Sequence, residues 1–230
     1  MSKESKKSKK KSPNPLRECN SLIFDLRRLF KQSDMFDAII RAPINLDSKT
    51  IINETEFKSF KAHKLILSVR SQVFEKMFNN DKPHQYVNII DFDSNTVEIF
   101  LNYLYTDRIE LRKYAKQDEN DENDESNSED SLYEQNLFIE LFKISDKYQV
   151  HKLKELSESK LIKLISSDSC IELLIVSYMH NSVRLKLNCF KHLACNLNSI
   201  VTQPHWSLLE KNYPSLLAEA FRILYFKQKC

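Results

Sequence analysis

Glycine is absent from all 230 residues. That excludes the phosphate-binding loop, the dinucleotide fingerprint and the nucleophile elbow, which need glycine where the backbone turns sharply or approaches a ligand. Turns of positive φ fall instead to asparagine or aspartate. Asn79-Asn80-Asp81, Asp107 and Asn181 are the candidate positions. No run of about 18 apolar residues occurs, so neither a membrane-spanning helix nor a membrane partner is expected. The opening stretch MSKESKKSKKK has no apolar segment, so no secretory signal is read. The chain is expected inside the cell, in the nucleus, the cytoplasm or both. Its five cysteines form no CxxC pair and are expected to be reduced there.

Catalytic chemistry is equally sparse. No nucleophile has a base beside it in sequence, and no paired carboxylates occur outside one acidic tract, so no enzyme is expected. Cys189, His192 and Cys195 sit three residues apart, a spacing that fits no usual zinc pattern and lacks a fourth ligand. No metal or other cofactor is expected. The part that folds carries no basic stripe interleaved with aromatics, so nucleic acid is not an expected partner.

What the chain does have is apolar content and segregated charge. Hydrophobic residues make up 41% and aromatics 10%, enough to core one large or two small domains. The net charge of +3 hides a lysine-rich start, Lys3 to Lys11, and a tract with eight acids and no base, DENDENDESNSED, from Asp118 to Asp130. Both blocks repel themselves and bury nothing, so both are expected to be disordered. The lysine tail reads either as a nuclear-import or anion-contacting segment or as a solubilising one.

The pattern between these blocks is organised around Phe57 to Phe78. An extended segment, FKSFKAHK, leads into a helix in which Leu65, Val69, Val73 and Met77 recur every four residues. The spacing predicts one apolar face over about three and a half turns, buried on more than one side. Before it, Leu22, Leu26 and Leu29 form the stripe of a short amphipathic helix, too apolar to stand alone. Met35–Ala42 and Glu56–Lys61 read as a strand pair, and YVNIIDF as a third strand. Asp93 or Ser94 caps a helix carrying Val97, Leu101, Leu104 and Tyr105 on one face. From Ser131 onward the chain reads as helical, with capping boxes at Ser131-x-x-Glu134 and Ser169-x-x-Glu172. Leu137 to Tyr148, Leu153 to Ile165, Ile171 to Tyr178 and Leu185 to Leu193 mark successive helices, and Pro214 opens the last. Strands confined to the first 110 residues, then only helices, predict an α+β domain with a helical annex.

The central stretch resembles the BTB/POZ domain family. The resemblance runs through Phe36-Asp37, Phe60-Lys61-Ala62-His63-Lys64, Leu67, Arg70-Ser71, Val73-Phe74, Met77-Phe78, Phe100-Leu101 and Leu104-Tyr105-Thr106. Farther on, Ser145-Asp146-Lys147-Tyr148, Leu153-Lys154, His180, Leu185-Lys186 and the run Leu217 to Arg222 are similar to the speckle-type POZ protein group. The resemblance implies a BTB/POZ fold, a small β-sheet flanked by helices, followed by an all-α BACK-like tail. With residues 1–15 read as a disordered basic tail and about 113–130 as a disordered acidic insertion, it implies 16–152 as the BTB/POZ domain and 153–226 as the BACK-like region. No MATH module is read beside them.

The resemblance further implies a dimeric adaptor, joining itself or related BTB proteins, that holds an unknown substrate protein near a cullin-3 RING ubiquitin ligase. The alternative is a BTB scaffold or transcriptional co-regulator that works without a cullin. Carried over residue by residue, the dimer face includes Leu22, Leu26, Leu29 and Ile66, and a second self-association surface includes Phe221. Phe78, Lys82 and Tyr148 are the cullin-facing candidates. Lys82 stands where relatives carry a hydrophobic anchor, and no glutamate follows it. Arg27-Arg28 stand where close relatives have two small residues, and Asp107 stands where relatives have glycine.

Overall fold

The structure is a computed structural model that describes residues 21–32, 35–44, 46, 57–79, 86–111 and 126–227. The lysine tail, Asn80, Asp81, Lys82 and residues 113–125 of the expected insertion lie outside the described residues.

The elements follow in order as α1 (Leu22–Gln32), β1 (Ala38–Pro43), β2 (Phe57–Ala62), α2 (Lys64–Arg70), α3 (Gln72–Asn79), β3 (Tyr86–Asn88) and α4 (Ser94–Thr106). Then come α5 (Ser126–Lys147), α6 (His151–Lys163), α7 (Cys170–Met179), α8 (Val183–Cys195), α9 (Leu197–Val201), α10 (Pro204–Asn212) and α11 (Pro214–Lys227). The fold is α+β, as expected from the strand-then-helix order.

The sheet runs β2-β1-β3. β1 pairs antiparallel with β2, Ile40 opposite Phe60, and parallel with β3, Ile40 opposite Val87. Alternation sets its inner face: Ala38, Ile40 and Ala42 of β1 and Phe60 and Ala62 of β2 are buried, while their neighbours turn outward. Helix α4 packs on that inner face through Val97, Phe100, Leu101 and Leu104, all buried. Its start is fixed by Asp93, whose carboxylate accepts the Thr96 N–H at 2.6 Å. Its end is Asp107 at φ 55°, whose N–H reaches Tyr103 O at 2.9 Å.

Two turns solve the missing-glycine problem in the same way. Gln149 and Asn181 sit at φ 55° and 51° after α5 and α7. In each, the next residue's N–H reaches back five residues, Val150 to Ser145 O and Ser182 to Ser177 O, both at 2.8 Å. This is the Schellman arrangement, which satisfies the last helical carbonyls. Asp107 and Asn181 were expected in this role; Met35 and Gln149 also take positive φ and were not. Asn79 is instead helical.

Three expectations are corrected. The central helix is broken: α2 ends at Arg70, Ser71 is extended at φ −145°, and α3 starts afresh. The Ser71 hydroxyl accepts the Phe74 N–H at 3.3 Å and donates to Tyr148 O at 2.6 Å. The break rotates the stripe, so Leu67 and Phe74 are buried while Leu65 and Val69 stand exposed.

Helix α5 begins at Ser126, inside the stretch expected to be disordered through Asp130, so Ser131 lies within it and caps nothing. Glu134 pairs instead with Lys160 of α6 at 2.9 Å. Ser169 makes no cap bond to α7; its hydroxyl accepts the Ser166 N–H at 3.1 Å. The helical stretch buries Leu153, Leu161, Leu185, Cys189 and Leu193 as expected, whereas Leu156 and Tyr178 are exposed. One continuous core joins Ile40 at the sheet to Ala220 in α11.

Candidate interaction surfaces

The surface begins with what α1 leaves uncovered. No residue of α1 is fully buried. Leu26, Leu29 and Phe30 lie against the core and α4, while Leu22 is 72% exposed. The Phe30 ring sits 4.9 Å from Tyr105. The same Tyr105 hydroxyl accepts the His63 N–H at 2.9 Å and meets His63 Nδ1 at 2.8 Å. Tyr105 therefore ties the end of α1 to the start of α2. Burial is the main cause that pushes its hydroxyl up to about 12.

Helix α2 exposes Leu65 at 72% and Val69 at 77%, while Ile66 is half-buried against the core. Met35 and Phe36, before β1, are exposed as well. Of the expected dimer-face residues, Leu22 is free for a partner, while Leu26, Leu29 and Ile66 already spend part of their surface on the chain's own core. Leu65 and Val69 were missed as surface residues, because periodicity assigns a stripe without saying which side of it is covered. Ion pairs border this region, Arg27 with Glu110 and Arg70 with Asp107.

At the end of α3, the Phe78 ring stacks on Phe74 at 5.8 Å and lies under the Lys64 ammonium. It remains partly accessible. Tyr148 does not. Its ring stacks on Phe74 at 4.7 Å and meets Phe100 at 5.4 Å, leaving it 2% exposed. Burial first and the Asp91 carboxylate second push its hydroxyl well above the ordinary tyrosine range. Tyr148 is thus a core residue joining α3, α4 and α5.

A polar knot locks α5, α6 and α7 together. Asp146 accepts from Lys154 Nζ at 2.6 Å and meets His180 Nδ1 at 2.7 Å. Lys154 also donates to His180 O at 2.9 Å. Burial works to raise the Asp146 carboxyl, but the hydrogen bonds and charges of Lys154 and His180 prevail and hold it below the usual range. These are three of the positions singled out by the resemblance, and here they are joined in space.

Toward the C-terminus, Phe221 and Tyr225 of α11 are exposed, with Leu217 half-buried beside them on the chain. Cys189 is buried, with Cys170 Sγ 3.5 Å from its carbonyl oxygen, while Cys195 is exposed. Among the described residues no three His, Cys, Asp or Glu side chains gather as a metal site. No helix among them is long and apolar enough to cross a membrane.

A small sheet is roofed by α4, and apolar helix faces are left open around it. The family model for the BTB/POZ domain matches residues 26–165, more than half of the chain, and the chain belongs to the BTB/POZ domain family. It is 27% identical over 77% of its length to "BTB/POZ and MATH domain-containing protein 4" of Arabidopsis thaliana. It is 26% identical over 72% to "TD and POZ domain-containing protein 3" of Mus musculus. The chain spans 37% and 40% of those two relatives. Among solved structures, "BTB domain of zebrafish PATZ1" aligns with a TM-score of 0.42 at 17% identity, covering 67% of this chain and 99% of that one.

Proposed function

We propose that the chain is a dimeric BTB adaptor that brings a substrate protein to a cullin-3 RING ubiquitin ligase. The observation that carries the dimer is the pair Leu65 and Val69, exposed on α2, with Leu22 of α1 equally bare. Apolar side chains this exposed mark surface that a partner covers. A second copy, or a related BTB chain, buries them together with part of Leu26, Leu29 and Ile66. Phe221, half-exposed on α11, marks a second self-association surface. Residues 16–152 then act as the pairing domain and 153–226 as a BACK-like extension that sets the spacing between copies.

The adaptor performs no chemistry. It raises the effective concentration of a substrate near the ubiquitin-loaded enzyme. Similarity to BTB chains that carry MATH or TD modules supports this part of the reading. Phe78, still accessible at the end of α3, is the remaining described candidate for the cullin face. The second reading, a BTB scaffold that works without a cullin, draws on Lys82. A hot-spot apolar anchor is worth about 2 kcal/mol or more, and lysine at that position forfeits it.

Calorimetry of the purified chain with the N-terminal region of cullin-3 separates the two. Saturable heat that Phe78→Ala weakens is expected for the adaptor. No heat at tens of micromolar, with a dimer mass retained in light scattering, leaves the scaffold.

A further inference from the structure

Among the described residues the sheet ends at β2, which has no strand on its outer side. Every second residue of an antiparallel edge strand turns its N–H and C=O away from its partner, so this edge offers unspent backbone bonds. Lys58 to Lys61 line a cleft of about 520 Å³, closed on the other sides by the end of α1 and the outer face of α4. Four residues of strand span about 10 Å, and the cleft has the size of sites that take small ligands or short peptide segments.

The cleft is chemically mixed in a way that selects its occupant. Phe30, Phe60 and Ile99 supply apolar wall. Asn102 lies deep in it, 8% exposed, and its carboxamide makes no hydrogen bond among the described residues. Its amide atoms are not sealed from solvent, so an incoming polar group can meet them. The two acidic residues in the lining are already engaged, Glu98 by Lys58 at 2.6 Å and Glu110 by Arg27. Lys31 and Lys61 carry no ion pair among the described residues, although Lys61 also lies over the Phe36 ring. The charge left over is positive. Lysines on this edge also repel the same edge of a second copy, which is the usual way a free strand is kept from pairing with itself.

We propose that the β2 edge and its cleft bind an extended acidic peptide of a partner protein, added as a fourth strand. The peptide backbone pairs with β2, one apolar side chain enters the Phe30–Phe60–Ile99 wall, a polar atom meets Asn102, and flanking carboxylates meet Lys31 and Lys61. The proposal stands whether or not the chain recruits a cullin.

The test uses the full chain and a capped, fluorescent heptapeptide of alternating valine and glutamate, with a valine–lysine peptide as its counterpart. Anisotropy titration is expected to saturate with the glutamate peptide and not with the lysine one. Lys31→Glu with Lys61→Glu is expected to weaken glutamate-peptide binding by about tenfold or more, since like charges then face each other. Asn102→Leu, which leaves every charge in place, is expected to weaken it several-fold. Amide hydrogen exchange of residues 58–61 slows on adding the glutamate peptide. Equal binding of the two peptides, no saturation up to millimolar, or an unchanged affinity in the charge-reversed chain overturns the proposal. So does exchange protection of residues 58–61 that rises with protein concentration alone, which gives the edge to a second copy.

Discussion

At Ser71 one hydroxyl serves two partners. It caps α3 at Phe74 and holds the carbonyl of Tyr148, 77 residues away. Ser71→Ala leaves a helix N–H and a buried carbonyl without partners, at a cost of about 1–3 kcal/mol. Urea denaturation should show that loss, and the Tyr148 ring should lose its fixed seat on Phe74. Leu65 and Val69 test the pairing surface. Leu65→Asp with Val69→Asp removes exposed groups only, so the fold should survive while light scattering reports half the mass. A dimer mass in the doubly substituted chain takes the interface elsewhere. Residue-scale detail was legible where chemistry is local. Asp107 and Asn181 were readable as left-handed positions because their short polar side chains tolerate that region. Gln149 was not, because its positive φ comes from the turn that brings α6 back along α5.

At the scale of elements, helices and strands were legible from periodicity and their boundaries were not. The stripe from Leu65 to Met77 predicts one helix. The structure makes two, since Ser71 competes for backbone bonds that a continuous helix would have used. The start of α5 differs as well: the helix extends to Ser126, where self-repulsion suggested disorder. The knot of Asp146, Lys154 and His180 links three helices and makes a pH prediction. The folded carboxyl is held below its ordinary value, so its contribution is complete above about pH 4 and is lost as pH falls through the lowered value. Asp146 is 36% exposed, so solvent screening keeps that contribution at or below about 1 kcal/mol. Urea unfolding should show Asp146→Asn less stable than the native chain at pH 7 and the gap closing toward pH 3. A gap that persists in acid assigns the loss to packing rather than charge.

Across the whole molecule the core is one cluster, from Ile40 beneath α4 to Ala220 in α11. A continuous core predicts one cooperative unfolding transition. Trp206, the single tryptophan and nearly buried in α10, reports the C-terminal end. Its fluorescence should change together with far-UV dichroism, and Phe74→Ala, far away in α3, should move both midpoints equally. Separate midpoints would divide the chain into independent units. Composition, the strand-then-helix order and the short motifs around His63, Arg70-Ser71 and Tyr105 determined by themselves the α+β class and the BTB/POZ family, because burial periods and turn chemistry are written in neighbouring residues. Which side of each stripe is covered was decided only in three dimensions. Tyr148 went inward and Leu65 outward because Phe74, Phe100 and Ser71 converge on one and no described residue covers the other. That convergence depends on residues dozens of positions apart, which no local pattern encodes.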